Sequence, residues 1–298
     1  MINYPKTQKE FINWYSSNEI YKNIYLSMEK HKLFDVSLRD GLQSLSLAEQ
    51  QNFTLTNKIN LYNKIITEHN PFSLEIGSIV SPKILPIMSD SLELFDYVDK
   101  INNNIYILFP NKEKLVILNN MNYSLITSVS ESFQKKNIKK SINETKKDII
   151  DSIDLIKDNN KKIYISCINE CPIEGKVNND FIIDEILYYN QLKINNICLS
   201  DTCGSLEYED FKYILEKCIE NDIEIKKISL HLHIDYDNLD NIEKILFLAF
   251  EKGIVQYDVS LIESGGCSIT MNKNKLKNNL SYDIYYKCLV NYIISKSY

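Results

Sequence analysis

The sequence of 298 residues is poor in several residue types. It has one arginine, Arg39, one tryptophan, Trp14, two alanines, Ala48 and Ala249, and seven glycines. No apolar run approaches the length that crosses a bilayer; the stretch 105–110 is typical and far too short. A basic excess is also missing, since 34 Lys plus Arg stand against 40 Asp plus Glu and the net charge is −6. That balance excludes a dedicated nucleic-acid binder, which needs surplus cations to neutralise phosphates. The seven cysteines lack paired zinc spacing, and the N-terminal segment lacks a secretory apolar core or an Arg-rich transit pattern. Reduced thiols in a cytoplasmic protein are therefore expected, with no nucleic-acid partner and no membrane. The scarcity of arginine also points the other way. Lysine, abundant here, cannot reproduce the planar and permanently charged guanidinium fork, so Arg39 suggests a site that needs that fork.

Short β-branched and aromatic runs alternate with longer segments of helical period. The runs cover 33–38, 72–77, 105–110, 124–130, 162–168, 196–202, 228–235 and 256–262. Candidate helices cover 48–68, a region after Pro82, 112–119, 137–158, 180–191, 208–221, 239–252 and 282–295. Eight strands with following helices in about 230 residues predict an α/β fold of the (β/α)8 TIM-barrel type, for which about 250 residues is usual. A doubly wound open sheet is the competing architecture. No Pro/Gly/Ser-rich linker divides the chain, so one barrel domain is expected over 31–298, preceded by an N-terminal helical arm over 1–30.

In a barrel, chemistry gathers at the carboxyl ends of the strands. Those ends here carry Arg39-Asp40-Gly41, Glu75, Ser128 to Ser130, Ser166-Cys167, Asp201-Thr202, His231-Leu232-His233 and Glu263 to Cys267. His231 and His233 stand at i and i+2 of a strand, share a face, and could grip one ion. Two imidazoles with a carboxylate suit a divalent metal that keeps positions open for substrate, and Asp40 is the obvious third ligand. No cysteine pair completes a structural zinc cage. A satisfied core histidine is the plainer reading, and two alternate histidines closing one apolar strand argue against it. Cys267 follows Gly265-Gly266, which suits a loop that closes over a ligand, although an inert buried thiol is the commoner fate of cysteine. Glu75 and Asp201 are candidate bases or hydrogen-bond anchors, or simple caps. Lys135-Lys136 and Lys139-Lys140 read as a solvated helix start, with contact to an anionic ligand as the alternative.

The segment Phe34-Asp-Val-Ser-Leu-Arg-Asp-Gly-Leu-Gln43 resembles the signature of the metal-dependent TIM-barrel lyases and synthases that include 3-hydroxy-3-methylglutaryl-CoA lyase and isopropylmalate synthase. Leu74 to Lys83, Ser130 to Asn137, Ser166 to Lys176, Asp201 to Gly204, the histidine pair and Gly265-Gly-Cys267 favour the lyase branch, in order along the chain. The resemblance implies retro-Claisen cleavage of an acyl-CoA, 3-hydroxy-3-methylglutaryl-CoA, into acetyl-CoA and acetoacetate, with Mg²⁺ or Mn²⁺. It assigns Asp40, His231, His233 and an asparagine, Asn278 in preference to Asn279, to the metal. It assigns catalytic roles to Arg39, Glu75, Asp201, His231 and Cys267, and substrate contacts to Gln43, Ser130, Cys167 and Thr202. A homodimer and a shortened C-terminal region are further expectations. Departures accompany it: Ser44-Leu45-Ser46 stand where the family commonly has Asn-Glu-Lys, and Glu263 adds charge ahead of the glycine pair. Two other readings fit the same residues, an aldolase or Claisen-type synthase on another acid and a non-catalytic barrel that binds a metabolite.

Overall fold

The computed structural model describes residues 3–98, 104–156, 158–266, 270–271 and 276–298. Five strands come first: β1 (Lys32–Asp35), β2 (Ser73–Ser78), β3 (Ile105–Leu108), β4 (Asn122–Ser128) and β5 (Lys161–Ser166). A small hairpin, β6 (Glu170–Cys171) with β7 (Gly175–Lys176), leads to β8 (Asn196–Asp201), β9 (Ile228–Ile234) and β10 (Gln256–Val259). The eight longer strands pair in parallel in chain order, and β10 pairs with β9 on one side and β1 on the other. That last pairing closes a (β/α)8 barrel and rules out the open sheet. A two-residue strand, β11 (Asn278–Asn279), adds antiparallel to the carboxyl end of β9.

The helices are α1 (Gln8–Ser16), α2 (Glu19–Ser27), α3 (Leu47–Gln50), α4 (Leu55–Glu68), α5 (Ser91–Val98), α6 (Glu131–Ile138), α7 (Ile142–Leu155), α8 (Asn179–Asn190), α9 (Tyr208–Glu220), α10 (Leu239–Lys252) and α11 (Tyr282–Ser295). Local chemistry explains where they depart from the expected spans. The run 48–68 divides because the Thr54 hydroxyl accepts the Asn57 N–H and starts α4 afresh. The fourth strand stops at Ser128 because Ser130 turns to cap α6, its Oγ accepting the Phe133 N–H at 3.1 Å. The segment 112–119 supplies only a 3₁₀ turn, Lys112–Lys114. Among the described residues, no helix is long and apolar enough to cross a membrane.

The barrel strands are buried on both faces along almost their whole length. The barrel interior is not wholly apolar, however. Lys162, Tyr164, Cys198 and Asp258 lie buried within it beside Phe34 and Tyr106. At the amino end, α1 and α2 lie against α11, with Phe11 buried among Trp14, Tyr15, Tyr25 and Tyr286.

Candidate active site

β1 ends early because Asp35 takes up the backbone that follows it. One carboxylate oxygen accepts the Ser37 N–H and the other accepts the Ser37 hydroxyl, each at 2.9 Å. The chain then winds through a single π-helical turn, Ser37–Gly41, closed by the Gly41 N–H on the Val36 carbonyl. Such wide turns recur at functional sites because they re-aim consecutive side chains. Here the turn delivers Arg39 and Asp40 together to the carboxyl mouth of the barrel, both buried.

Arg39 lies between two carboxylates. Its Nε donates to Glu75 and its Nη1 to Asp40 Oδ1 at 2.5 Å, while its guanidinium lies 5.1 Å from the Tyr164 ring centroid. Tyr164 also donates to Glu75, at 3.2 Å. Lysine, a point charge, could not donate to both carboxylates through one rigid plane. This geometry accounts for the single arginine in the chain.

Asp40 divides its two oxygens. Oδ1 receives Arg39 and Gln43 Nε2, the latter at 2.6 Å, whereas Oδ2 accepts the Gly266 N–H at 3.1 Å and faces two imidazoles. His233 Nε2 lies 3.4 Å from it and His231 Nε2 lies 3.9 Å away. Burial works against charge on Asp40, but Arg39 and the two histidines outweigh it and hold the carboxyl well below the usual range.

The other ring nitrogens are taken. His231 Nδ1 lies 3.1 Å from Asp258 Oδ2, and His233 Nδ1 lies 2.7 Å from the Asp201 carbonyl. Since a carbonyl can only accept, His233 carries a proton on Nδ1; the Asp258 carboxylate sets the same tautomer at His231. A bound cation would meet both rings as neutral ligands through Nε2; without one, burial works against charge on His233, but the Asp40 carboxylate outweighs it and raises that imidazole above its ordinary range, with Nε2 donating to Asp40. Lys162, buried beneath, pairs with the other oxygen of Asp258 and lies 3.6 Å from the Phe34 ring centroid. Burial favours neutral Asp258, but the Lys162 charge keeps its carboxyl below the ordinary range.

The ligand atoms of Asp40, His231 and His233 all lie within 4.8 Å of one another and could hold a metal ion. β11 adds a fourth candidate. Asn279 pairs in register with His233, is buried, and leaves its Oδ1 without a hydrogen-bond partner among the described residues, while its Nδ2 donates to the Ser264 carbonyl. Gly265 lies so close to both groups that a Cβ there would stand 2.7 Å from Asn279 Nδ2 and 2.9 Å from His233 Cδ2. The donor set fits a divalent cation: hard carboxylate and amide oxygens with two imidazoles whose outer nitrogens are held. Asn278, preferred from the sequence, lies one residue away in an alternating strand and hydrogen-bonds Tyr236 instead. Chain register places Asn279, rather than Asn278, beside His233.

A cavity of about 640 Å³ opens above this group. Gln43, Thr202, Gly266 and both histidines line it, together with Arg39 and Asp40. Other sequence candidates lie outside its lining. Glu75 supports Arg39 from below. The Ser130 hydroxyl caps α6 and donates to Glu174 at 2.5 Å, and Cys167 is buried with its N–H on the Thr202 hydroxyl. The Asp201 carboxylate accepts the Ser205 and Leu206 N–H groups, so Asp201 reaches the site through its carbonyl. Burial pushes that carboxyl up to about 6. Glu263 turns away and accepts the Tyr236 hydroxyl at 2.6 Å, so its charge is directed off the cavity. Cys267 lies outside the described residues. Asp258, Lys162 and Tyr164 were not anticipated from the sequence.

A family model described as HMGL-like matches residues 30–266. The 3-hydroxy-3-isohexenylglutaryl-CoA/hydroxy-methylglutaryl-CoA lyase of Pseudomonas aeruginosa is 26% identical over 265 residues, 87% of this chain and 84% of that protein. The mitochondrial hydroxymethylglutaryl-CoA lyase of Homo sapiens is 28% identical over 243 residues, 79% of this chain and 72% of that protein. An HMG-CoA lyase of Acinetobacter baumannii, solved with coenzyme A and 3-methylmalate, superposes with a TM-score of 0.75 at 24% identity, covering 90% of this chain and 89% of that one.

Proposed function

This chain belongs to the HMGL-like family of carbon–carbon lyases, and from that premise we propose that it is a cytoplasmic, divalent-metal-dependent lyase of 3-hydroxy-3-methylglutaryl-CoA or a close acyl-CoA analogue. The observation that carries the reading is the convergence of Asp40 with two imidazoles whose outer nitrogens are both occupied. Coenzyme A in the related A. baumannii structure supports a CoA thioester as substrate. Asp40, His231, His233 and Asn279 would hold Mg²⁺ or Mn²⁺, which supplies Lewis acidity toward the substrate's hydroxyl and carboxylate oxygens.

In the reaction the C3 hydroxyl gives its proton to a base at the cavity, a role the family resemblance offers to His231, the C2–C3 bond breaks, and its electron pair moves onto the thioester as an enolate. Acetoacetate departs, and the enolate takes a proton to give acetyl-CoA. Arg39 supplies fixed positive charge to the enolate oxygen, and because Glu75 and Tyr164 already hold it, little reorganisation is needed as that charge develops. Asp258 and the Asp201 carbonyl keep both histidines in the ligand tautomer. Cys267, which directly follows Gly266, matches by resemblance the family cysteine of the loop over the active site, and the resemblance gives His231 and Asp201 proton-transfer or supporting roles.

The test is release of acetyl-CoA from 3-hydroxy-3-methylglutaryl-CoA with Mg²⁺ or Mn²⁺ supplied. Turnover that stops on chelation and is absent in His233→Ala supports the reading. No product with either ion present counts against that substrate.

A further inference from the structure

Three segments of the chain meet behind the π-helical turn, and one hydroxyl joins them. Ser37, which opens the turn, is fully buried, as is Asp35. The Ser37 Oγ donates to Asp35 Oδ2 at 2.9 Å, accepts the Leu261 N–H at 2.7 Å and lies 3.3 Å from the Ser260 hydroxyl. Asp35 is held in turn from the outer layer of helices. There the Tyr282 hydroxyl, at the start of α11, donates to the same Oδ2 at 2.9 Å.

Each of the three segments carries part of the candidate metal site. The turn continues from Ser37 to Arg39 and Asp40. The stretch after β10 runs from Ser260 and Leu261 to Gly266, whose N–H reaches Asp40 Oδ2. Tyr282 follows closely on Asn279, the residue beside His233. The first two segments also touch directly, since Ser264 Oγ donates to the Gly41 carbonyl at 2.7 Å and a Cβ on Gly41 would stand 3.0 Å from Ile262 Cβ. Backbone joins the second to the third, the Ser260 N–H donating to the Leu280 carbonyl at 3.0 Å. Asp35, Ser37 and Tyr282 themselves lie outside the cavity lining.

We propose that Tyr282, Asp35 and Ser37 form a positioning relay that sets Asp40 at ligand distance from His231 and His233. The proposal rests on the metal reading above and extends it to residues that touch neither the ion nor the substrate. Tyr282 and the Ser37 N–H fix the Asp35 carboxyl, and that carboxyl fixes the rotamer of the Ser37 hydroxyl. With the rotamer set, the buried Leu261 N–H has its acceptor in one place, and the stretch that ends at Gly266 is drawn against the turn. Asp40 Oδ2 then takes the Gly266 N–H while it faces the two imidazoles. Between Ser37 and Asp40 lies one turn closed on the Val36 carbonyl, so a displacement of Ser37 is passed to Asp40. Buried networks of this kind respond to the loss of a member as a unit.

The experiment measures Mn²⁺ affinity, from the electron paramagnetic resonance signal of the free ion, and the melting temperature. It compares the unaltered protein with Ser37→Ala, Tyr282→Phe, the double variant and Tyr189→Phe. Tyr189 is the control: its hydroxyl, buried on α8, lies 3.3 Å from Thr127 Oγ1, so phenylalanine makes the same loss away from the relay. Mn²⁺ affinity should fall about tenfold or more in Ser37→Ala and about threefold or more in Tyr282→Phe. The double variant should bind no more weakly than Ser37→Ala alone, because Tyr282 acts through the group already removed. Tyr189→Phe should bind as the unaltered protein does. Tyr282→Phe keeps the ring and its packing, so it reads the relay even where Ser37→Ala fails to fold. Variants that melt earlier yet hold Mn²⁺ as tightly as the unaltered protein overturn the relay alone, as does a double variant whose two losses simply add. An unaltered protein that binds no Mn²⁺ overturns the metal reading and the relay together. Mn²⁺ affinities in the predicted order, without cleavage of 3-hydroxy-3-methylglutaryl-CoA, support the relay while removing the proposed acyl substrate.

Discussion

Arg39 and Asp40 occupy consecutive positions, yet their tasks are opposite in sign. One guanidinium bridges Glu75 and Asp40, and one carboxylate faces both imidazoles. Arg39→Lys keeps a positive charge but loses the fork, so turnover should fall by about a hundredfold or more while the melting curve shows a folded protein. Loss of less than tenfold would show that a point charge suffices. Asp35, four residues before Arg39, yields a pH prediction. Its carboxyl is fully buried against Ser37 and Tyr282, and burial pushes it up to about 7 from 3.8. The folded protein therefore keeps a proton that the unfolded chain has released, so this group makes stability fall as pH rises from about 4 through 7. The slope from one such group reaches at most about 1.4 kcal/mol per pH unit. Asp35→Asn removes the titration, so denaturant unfolding at pH 5 and pH 7 should show the variant gaining on the unaltered protein at the higher pH. Parallel behaviour of the two proteins would contradict this.

At the level of the element, the pairing of β11 with β9 sets which asparagine lies beside His233. In strands, neighbouring residues face opposite sides, so a shift of one residue exchanges the amide beside His233 for one beside Tyr236. Asn279→Ala should weaken Mn²⁺ binding by about 10- to 100-fold, whereas Asn278→Ala should leave it nearly unchanged. The reverse order would mean that the register is displaced. This same element shows what the sequence could and could not convey. His231-x-His233 was legible because strand periodicity alone puts both rings on one face, and Arg39 was legible because its residue type is so rare here. The choice between Asn278 and Asn279 was not, since it depends on a two-residue pairing across a long separation. Asp258 and Lys162 were hidden for a related reason. Each lies in a short strand of mixed composition, and only closure of the barrel brings β5 and β10 side chains together across the interior. The division between α3 and α4 turned on one capping hydroxyl, Thr54, within a continuous helical pattern.

The whole molecule is a barrel whose mouth carries the proposed chemistry and against whose last outer helix, α11, the helices α1 and α2 pack. We propose that residues 1–30 are an integral arm of the barrel domain at 31–298. Phe11 is the anchor, stacked on Tyr286 at 5.4 Å between ring centroids, and Tyr4 donates to Asn291 at 2.9 Å. Phe11→Ala should lower unfolding stability by about 3 kcal/mol or more, within one cooperative denaturant transition. An unchanged midpoint would mean that the arm folds apart from the barrel. At the barrel mouth, the central claim is that Asp40, His231 and His233, drawn from distant parts of the chain, share one divalent cation. Titration of the purified protein with Mn²⁺, followed by the electron paramagnetic resonance signal of the free ion, tests it directly. The account predicts one tightly bound ion per chain, lost in both Asp40→Ala and His233→Ala; no binding at millimolar Mn²⁺, or binding that survives both substitutions, would contradict it.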